Sequence, residues 1–150
     1  MKLREAVALA FASTALVTTV LRAQGDRWER DVRTQLGGAA ASLDPRAGNK
    51  PVTTRFGTLN AGESDSLTLP LHAGTAYVVV AACDEDCSRL TLRLSDLKSH
   101  ELVADRASDH APVVRLAPAE TGSYRVRIGM ESCRMNPCRY GVAVITPPAP

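Results

Sequence analysis

Residues 83–96, Cys83-Asp84-Glu85-Asp86-Cys87-Ser88-Arg89-Leu90-Thr91-Leu92-Arg93-Leu94-Ser95-Asp96, decide the fold. Two cysteines bracket an acidic tip, and beyond them Leu90, Leu92 and Leu94 alternate with Thr91, Arg93 and Ser95. In an extended chain successive side chains point to opposite faces, so this alternation makes one face apolar and the other wet. The segment reads as a half-buried strand launched from a stapled loop. A second pair, Cys133 and Cys138, precedes another alternating run at Tyr140, Val142 and Val144, so the same device occurs twice.

Working outward, the two-residue period extends over most of the chain. Residues 56–59 read as a first strand, closed by a turn at Asn60, Ala61 and Gly62. Residues 66–71 put Leu67, Leu69 and Leu71 on one face, and Pro70, which has no N–H to give a ladder, places that strand or its end at a sheet edge. Residues 77–82 are apolar on both faces and read as the most buried strand. Strands at 102–104, 113–116, 124–130 and 140–145 follow, with Arg125 and Arg127 on the wet side of the third of these. Eight short strands separated by turns leave no room for crossover helices, which makes the domain all-β, an antiparallel jelly-roll-like β-sandwich. Aromatics are only 4% of the chain, so Leu and Val must fill the core.

Upstream the period changes. Trp28, Val32, Leu36, Ala40 and Leu43 recur at helical spacing and predict a short N-terminal helix anchored on the sandwich by Trp28, weakened by about 1 kcal/mol at each of Gly37 and Gly38. Two prolines, Gly48 and Asn49 mark residues 44–51 as linker. Before that, Lys2 and Arg4 open a small-residue apolar run ending near Ala23, the layout of a secretory signal. The organisation is therefore signal peptide 1–23, helix and linker 24–51, sandwich 52–146 and a proline-rich tail 147–150, in which Pro147, Pro148 and Pro150 cannot extend a sheet. Secretion to the periplasm or beyond is the expected location.

Of 18 basic and 16 acidic residues, three basic (Lys2, Arg4, Arg22) and one acidic (Glu5) fall in the signal, so the remainder carries 15 of each. A neutral chain with interspersed signs lacks the concentrated basic face that nucleic acid or an anionic membrane requires. Neither is expected as a partner once the signal is cleaved. All four cysteines lie in the exported part, an even number in an oxidising compartment, which makes disulfides the default. C-x3-C and C-x4-C also approach zinc-finger spacing, but export and the missing C-x2-C knuckle count against a metal.

The run Gly57-x-Leu59-x-x-Gly62, the strand from Leu67 to Leu71, Ala73-Gly74-x-x-Tyr77, Leu90-x-Leu92-x-Leu94-x-Asp96 and Gly122-x-Tyr124-x-Val126 together resemble the bacterial pre-peptidase C-terminal domain, over residues 55–146. The cysteine loops resemble those of a stand-alone exported subgroup. The resemblance implies a jelly-roll-like accessory module without catalytic residues; some relatives bind matrix proteins or sugars or assist secretion, and a collagen-binding branch uses calcium. None of those ligands transfers to particular residues here. In jelly-roll order the connections at 60–65, 83–88, 105–112 and 131–138 share one end, and those at 72–75, 97–100 and 117–122 the other. Both cysteine pairs then meet at one rim. Local bridges, Cys83 to Cys87 and Cys133 to Cys138, are favoured, with two cross-loop connectivities geometrically open.

The same rim gathers Glu63, Asp65, Asp84, Glu85, Asp86, Asp105, Asp109 and Glu131. Hard oxygen ligands on loops suit calcium, and a bridge stiffening Asp84 and Asp86 lowers the ordering cost, so a calcium-dependent adhesion module using Asp84, Asp86, Asp105 and Asp109 is the alternative function. Against it, no EF-hand spacing occurs and acidic tips are ordinarily just solvated. A small hydrolase comes third, from His72, His100 and His110 with Ser99, Ser108, Asp105 and Asp109; no G-x-S-x-G or H-E-x-x-H motif supports it. Sugar stacking needs exposed aromatics, whereas Phe56, Tyr77, Tyr124 and Tyr140 sit on strand faces that read as buried, leaving Trp28. The expectation is an exported, non-catalytic accessory or binding module, without cofactor or metal, whose partner is an extracellular or periplasmic protein met through the loop end or a free sheet edge.

Overall fold

The structure, a computed structural model, describes residues 27–42, 51–107 and 109–146. The expected signal peptide, Leu43, most of the expected linker, Ser108 and the proline-rich tail lie outside the described residues. A helix, α1, occupies residues 27–42. Eight strands follow: β1 (Thr53–Leu59), β2 (Ser64–Leu71), β3 (Tyr77–Cys83), β4 (Cys87–Asp96), β5 (Glu101–Asp105), β6 (Val113–Leu116), β7 (Gly122–Cys133) and β8 (Cys138–Ile145). Their centres fall where alternation put them. Several ends run one to three residues longer, because ladder pairing continues past the last alternating residue.

The strands form two four-stranded sheets, β1-β8-β3-β6 and β2-β7-β4-β5, every pairing antiparallel. The order has a simple origin. If the chain is folded into one long hairpin, β1 meets β8, β2 meets β7, β3 meets β6 and β4 meets β5, and all four pairs are present. Curling that hairpin adds the lateral pairs β3 with β8 and β4 with β7, and a jelly roll results. β2 is the edge of its sheet, so Pro70 costs no ladder bond on its free side.

Leu69, Leu71, Leu90, Leu92, Leu94, Val126, Ile128 and Met130 of one sheet face Tyr77, Val79, Ala81, Val142 and Val144 of the other across the core. At the end of this core Tyr140, from β8, reaches across the sandwich. Its hydroxyl hydrogen-bonds Asp65 of β2, which also pairs with Arg55 at 2.8 Å. Burial and that bond push the phenol up to about 12. Burial also works to raise the Asp65 carboxyl, but donation from Tyr140 and the Ser66 N–H, with the Arg55 charge, outweighs it and holds the group below the usual range. Gly57, opposite Tyr140 in the ladder, makes room for the ring: a β-carbon there would stand 2.8 Å from it.

β3 is buried along its whole length because the sandwich covers one face and α1 the other. Val32, Leu36 and Ala40 of the helical stripe pack on Val78, Val80, Ala82, Ala143 and Ile145. Val32 and Leu36 each gain about 1.5–3 kcal/mol when fully buried, which offsets the two glycines of the helix. The approach is closest over Gly141, where an added β-carbon would lie 2.8 Å from Val32 Cγ1 and Leu36 Cδ1 and 2.9 Å from Phe56 Cε1. Phe56 thus lies under the helix, outside the core between the sheets. Gly141→Ala is expected to lift the helix and destabilise the fold by about 1–3 kcal/mol, read by urea unfolding; unchanged stability would mean that α1 is not seated on β8.

Candidate functional site

Two regions gather chemistry-bearing side chains. The first is the cysteine rim. Cys83 bonds to Cys87 and Cys133 to Cys138. Cys87 and Cys133 are opposed in the β4–β7 ladder, so the two staples sit side by side. The staples alone would shape each loop separately; polar contacts join them. The Arg134 N–H donates to the Asp86 carbonyl at 2.8 Å, and its guanidinium grips Asp86 Oδ1 through Nε at 3.1 Å and Nη2 at 2.8 Å. Ser88 and Ser132 hydroxyls are bonded at 2.9 Å. The loop after β1 joins through Ala61 N–H to Asn136 Oδ1 at 2.9 Å, and the β5–β6 connection through Leu90 N–H to the Asp109 carbonyl at 2.9 Å. Four connections therefore share one end, as wrapping the hairpin requires.

The acidic tip is solvated at Glu85 alone: Asp84 is 6% exposed, and the Asp86 side chain, held by Arg134, 12%. Asp84 is clamped both ways to β8: its N–H donates to the Arg139 carbonyl at 3.0 Å, and Oδ2 accepts from the Arg139 N–H at 2.8 Å. Its carbonyl accepts the Cys87 N–H at 3.1 Å and closes the stapled turn. Oδ1 is buried without a hydrogen-bond partner, and so is Nε1 of Trp28. Burial raises the Asp84 carboxyl above the usual range, helped by the Asp86 charge and opposed by the Arg139 N–H. The Arg139 guanidinium lies 4.6 Å from the Trp28 ring centroid, so helix, β8 and stapled loop meet around one arginine.

The other carboxylates of this end do not form one cage. Asp105 accepts from Ala107 and Val113 N–H groups, Asp109 from Ala111 N–H, Glu63 from Asn60 N–H and Glu131 from the Thr91 hydroxyl. Among the described residues no group of three or more His, Cys, Asp or Glu side chains is placed to hold a metal ion. Among the described residues, the three histidines of the hydrolase reading stand on different connections. His72 stands in the β2–β3 turn, His110 in the β5–β6 connection and His100 at the β4–β5 turn, where its Nδ1 lies 2.9 Å from Asp96 Oδ2 rather than against Asp105 or Asp109. Ser99 is next to His100 and takes a left-handed backbone, φ 69°.

The second region lies on the outer face of the β2-β7-β4-β5 sheet. Arg93 of β4 stands directly opposite Arg127 of β7, and Arg125 is opposite Ser95. A hollow of about 150 Å³ is lined by Arg93, Ser95, Ser99, Glu101, Arg125 and Arg127. A neighbouring one of about 120 Å³ shares Arg93 and Arg127 and adds Thr91, Glu131 and Ser64 among its walls. Alternation had put these arginines on the wet side of their strands; only the register of β4 against β7 makes them a cluster.

No family model matches the chain, and comparison with curated proteins finds no match. Solved structures do match. The pre-peptidase C-terminal domain of collagenase from Bacillus anthracis aligns with a TM-score of 0.50 at 15% identity, covering 61% of this chain and 87% of that one. The likeness is one of fold. A Yersinia pseudotuberculosis-derived mitogen aligns with a TM-score of 0.51 at 14% identity, covering 67% and 91%. The expected pre-peptidase C-terminal architecture is thus met as a β-sandwich, at identities that carry no ligand or activity with them.

Asp84→Ala strands the Arg139 N–H and is expected to cost about 1–3 kcal/mol, whereas Asp84→Asn keeps an acceptor and removes the buried charge, so it should match or exceed the parent at neutral pH. Since the folded carboxyl titrates above its unfolded value, the parent gains on the Asn variant as pH falls through the folded pKa, and the gain is complete below the unfolded one. Urea unfolding of both across this range checks the sign; a parent that loses ground on acidification would contradict it. Millimolar calcium is expected to leave the melting temperature unchanged, and a rise of several degrees would restore the calcium alternative.

Proposed function

We propose that the protein is an exported, non-catalytic binding module that works in the periplasm or outside the cell. The observation that carries the proposal is the doubly stapled rim. Two disulfides closing short loops add little chain-entropy stabilisation compared with long-range bridges, so their use is to hold loop shape. The side chains between them serve the same end: Asp86 and Arg134 clasp one loop to the other, and Asp84 ties the first loop to β8. A rigid, shaped rim on a sandwich suits recognition, where preformed loops reduce the ordering cost of binding. Disulfides that persist belong to oxidising compartments, which supports export. The likeness in fold to a pre-peptidase C-terminal domain fits an accessory role and does not name the partner.

Expressed from its own start, the chain should be recovered outside the cytoplasm with both bridges formed. A non-reducing peptide map should then link position 83 to 87 and 133 to 138. Turnover is expected against no substrate of a broad hydrolase panel. Hydrolysis that disappears in His110→Ala would replace the binding module with an enzyme, and thiols found free after export would remove the rigid rim on which the reading stands.

A further inference from the structure

We propose that the outer face of the β2-β7-β4-β5 sheet binds an extended anionic polysaccharide, whose carboxylate or sulfate groups are held by Arg93, Arg125 and Arg127. The inference rests on the binding-module reading and assigns that module a surface and a ligand class. It starts from a cost. Arg93 and Arg127 face each other in an antiparallel ladder, and like charges directly opposite destabilise a sheet. Arg125 adds a third charge two residues along the same face of β7. Among the described residues none of the three makes an ion pair within 4.0 Å.

What surrounds the arginines orients them, and the acids beside them are each engaged by another partner. Arg127 Nε donates to Ser64 Oγ at 3.1 Å, which fixes the side chain and leaves its charge in place. The acid in the larger hollow, Glu101, is engaged by Arg106, though the Arg93 charge also helps to lower its carboxyl. In the smaller hollow Glu63 accepts from the Asn60 N–H and Glu131 from the Thr91 hydroxyl, so the excess of positive charge lies in the larger one, where three arginines meet one acid. Ser99 lines that hollow from a left-handed backbone, and among the described residues it is the one non-glycine residue with positive φ. A β-carbon is disfavoured there, and such strain at a cleft points toward function rather than folding. A hydroxyl beside three guanidiniums is what it places at the hollow.

The chemistry of the face selects the ligand. Guanidinium forks match carboxylate and sulfate oxygens in pairs and stay charged at any physiological pH. Ser64, Ser66, Thr68, Ser95 and Ser123 occupy outward positions around them and can both donate to and accept from sugar hydroxyls. Aromatic side chains, which neutral sugars and single-stranded nucleic acids stack on, are absent from the residues lining either hollow. An acidic peptide would need apolar anchor pockets or a strand edge. This face offers flat, hydroxyl-bearing, positively charged β-surface in mid-sheet.

The test uses the exported protein, with polygalacturonate as a carboxylate probe, heparin as a sulfate probe, dextran as a neutral control and poly-L-glutamate as the peptide control. Affinity electrophoresis and calorimetry should find salt-sensitive binding to polygalacturonate or heparin, none to dextran and weaker binding to poly-L-glutamate. Arg93→Ala/Arg127→Ala should lose about tenfold or more in affinity, and Arg30→Ala/Arg115→Ala, with the same change in charge, less than about twofold. Circular dichroism should show the first double variant folded at the assay temperature, so that its loss of affinity is read on an intact sheet. No binding to either polyanion, poly-L-glutamate bound as tightly as the polysaccharides, or equal losses in both double variants would each overturn the assignment. Any of these in a protein that is still exported, oxidised and inert toward the hydrolase panel leaves the module reading standing; hydrolysis would sink that reading by itself.

Discussion

The β1-β8-β3-β6 sheet is apolar on both faces, and a sandwich can cover only one of them. The helix upstream of β1 answers that constraint. Val78, Val80 and Ala82 alternate with Tyr77, Val79 and Ala81 along β3, so whichever set faces the second sheet leaves the other needing a lid. Helix α1 supplies it, with its small and branched stripe seated over Gly141. The opposite sheet has no such need, because most of its outward positions are Ser, Thr, Arg or Glu. The two outer faces thus have different fates, one sealed and one open.

That asymmetry organises the polar groups as well. Where the helix begins, Trp28 and Arg139 stack, and the same arginine's backbone clamps Asp84 of the stapled turn. A helix lid, a central strand and a disulfide loop are therefore mechanically one unit. On the open side the arginines are left to solvent, and their mutual repulsion is tolerated because the core beneath, Leu92, Leu94, Val126 and Ile128, is fully buried. Stability lives in the layer below the charges, which leaves the charges free for another task.

How much of this was legible in the residues follows from the range of each interaction. Strands and the helix are local, set by periods of two and near four, and all eight strands and the helix lie where those periods put them. The edge position of β2 was written in Pro70, and the double burial of β3 in its unbroken apolar run. Contacts set by register were not legible. Nothing near Tyr140 in sequence announces Asp65, and Arg93 and Arg127 are 34 positions apart until the β4–β7 ladder opposes them. Asp84 looked like one more solvated acid, because its burial depends on Arg139 arriving from the far end of the chain. The acidic residues were read as a cluster from loop proximity alone, whereas each had already been committed to a nearby N–H, hydroxyl or guanidinium.

The pairing of the first strand with the last has a further consequence. Thr53 and Val144 are opposed across the β1–β8 ladder, so the polypeptide enters and leaves the sandwich within about 5 Å of itself. Helix α1, however, begins at the other end of β8, where Trp28 meets Arg139 beside the stapled rim. The helix-capped unit therefore receives its chain at one pole and releases it at the other, so it suits a place between neighbours along a polypeptide better than insertion into a single turn.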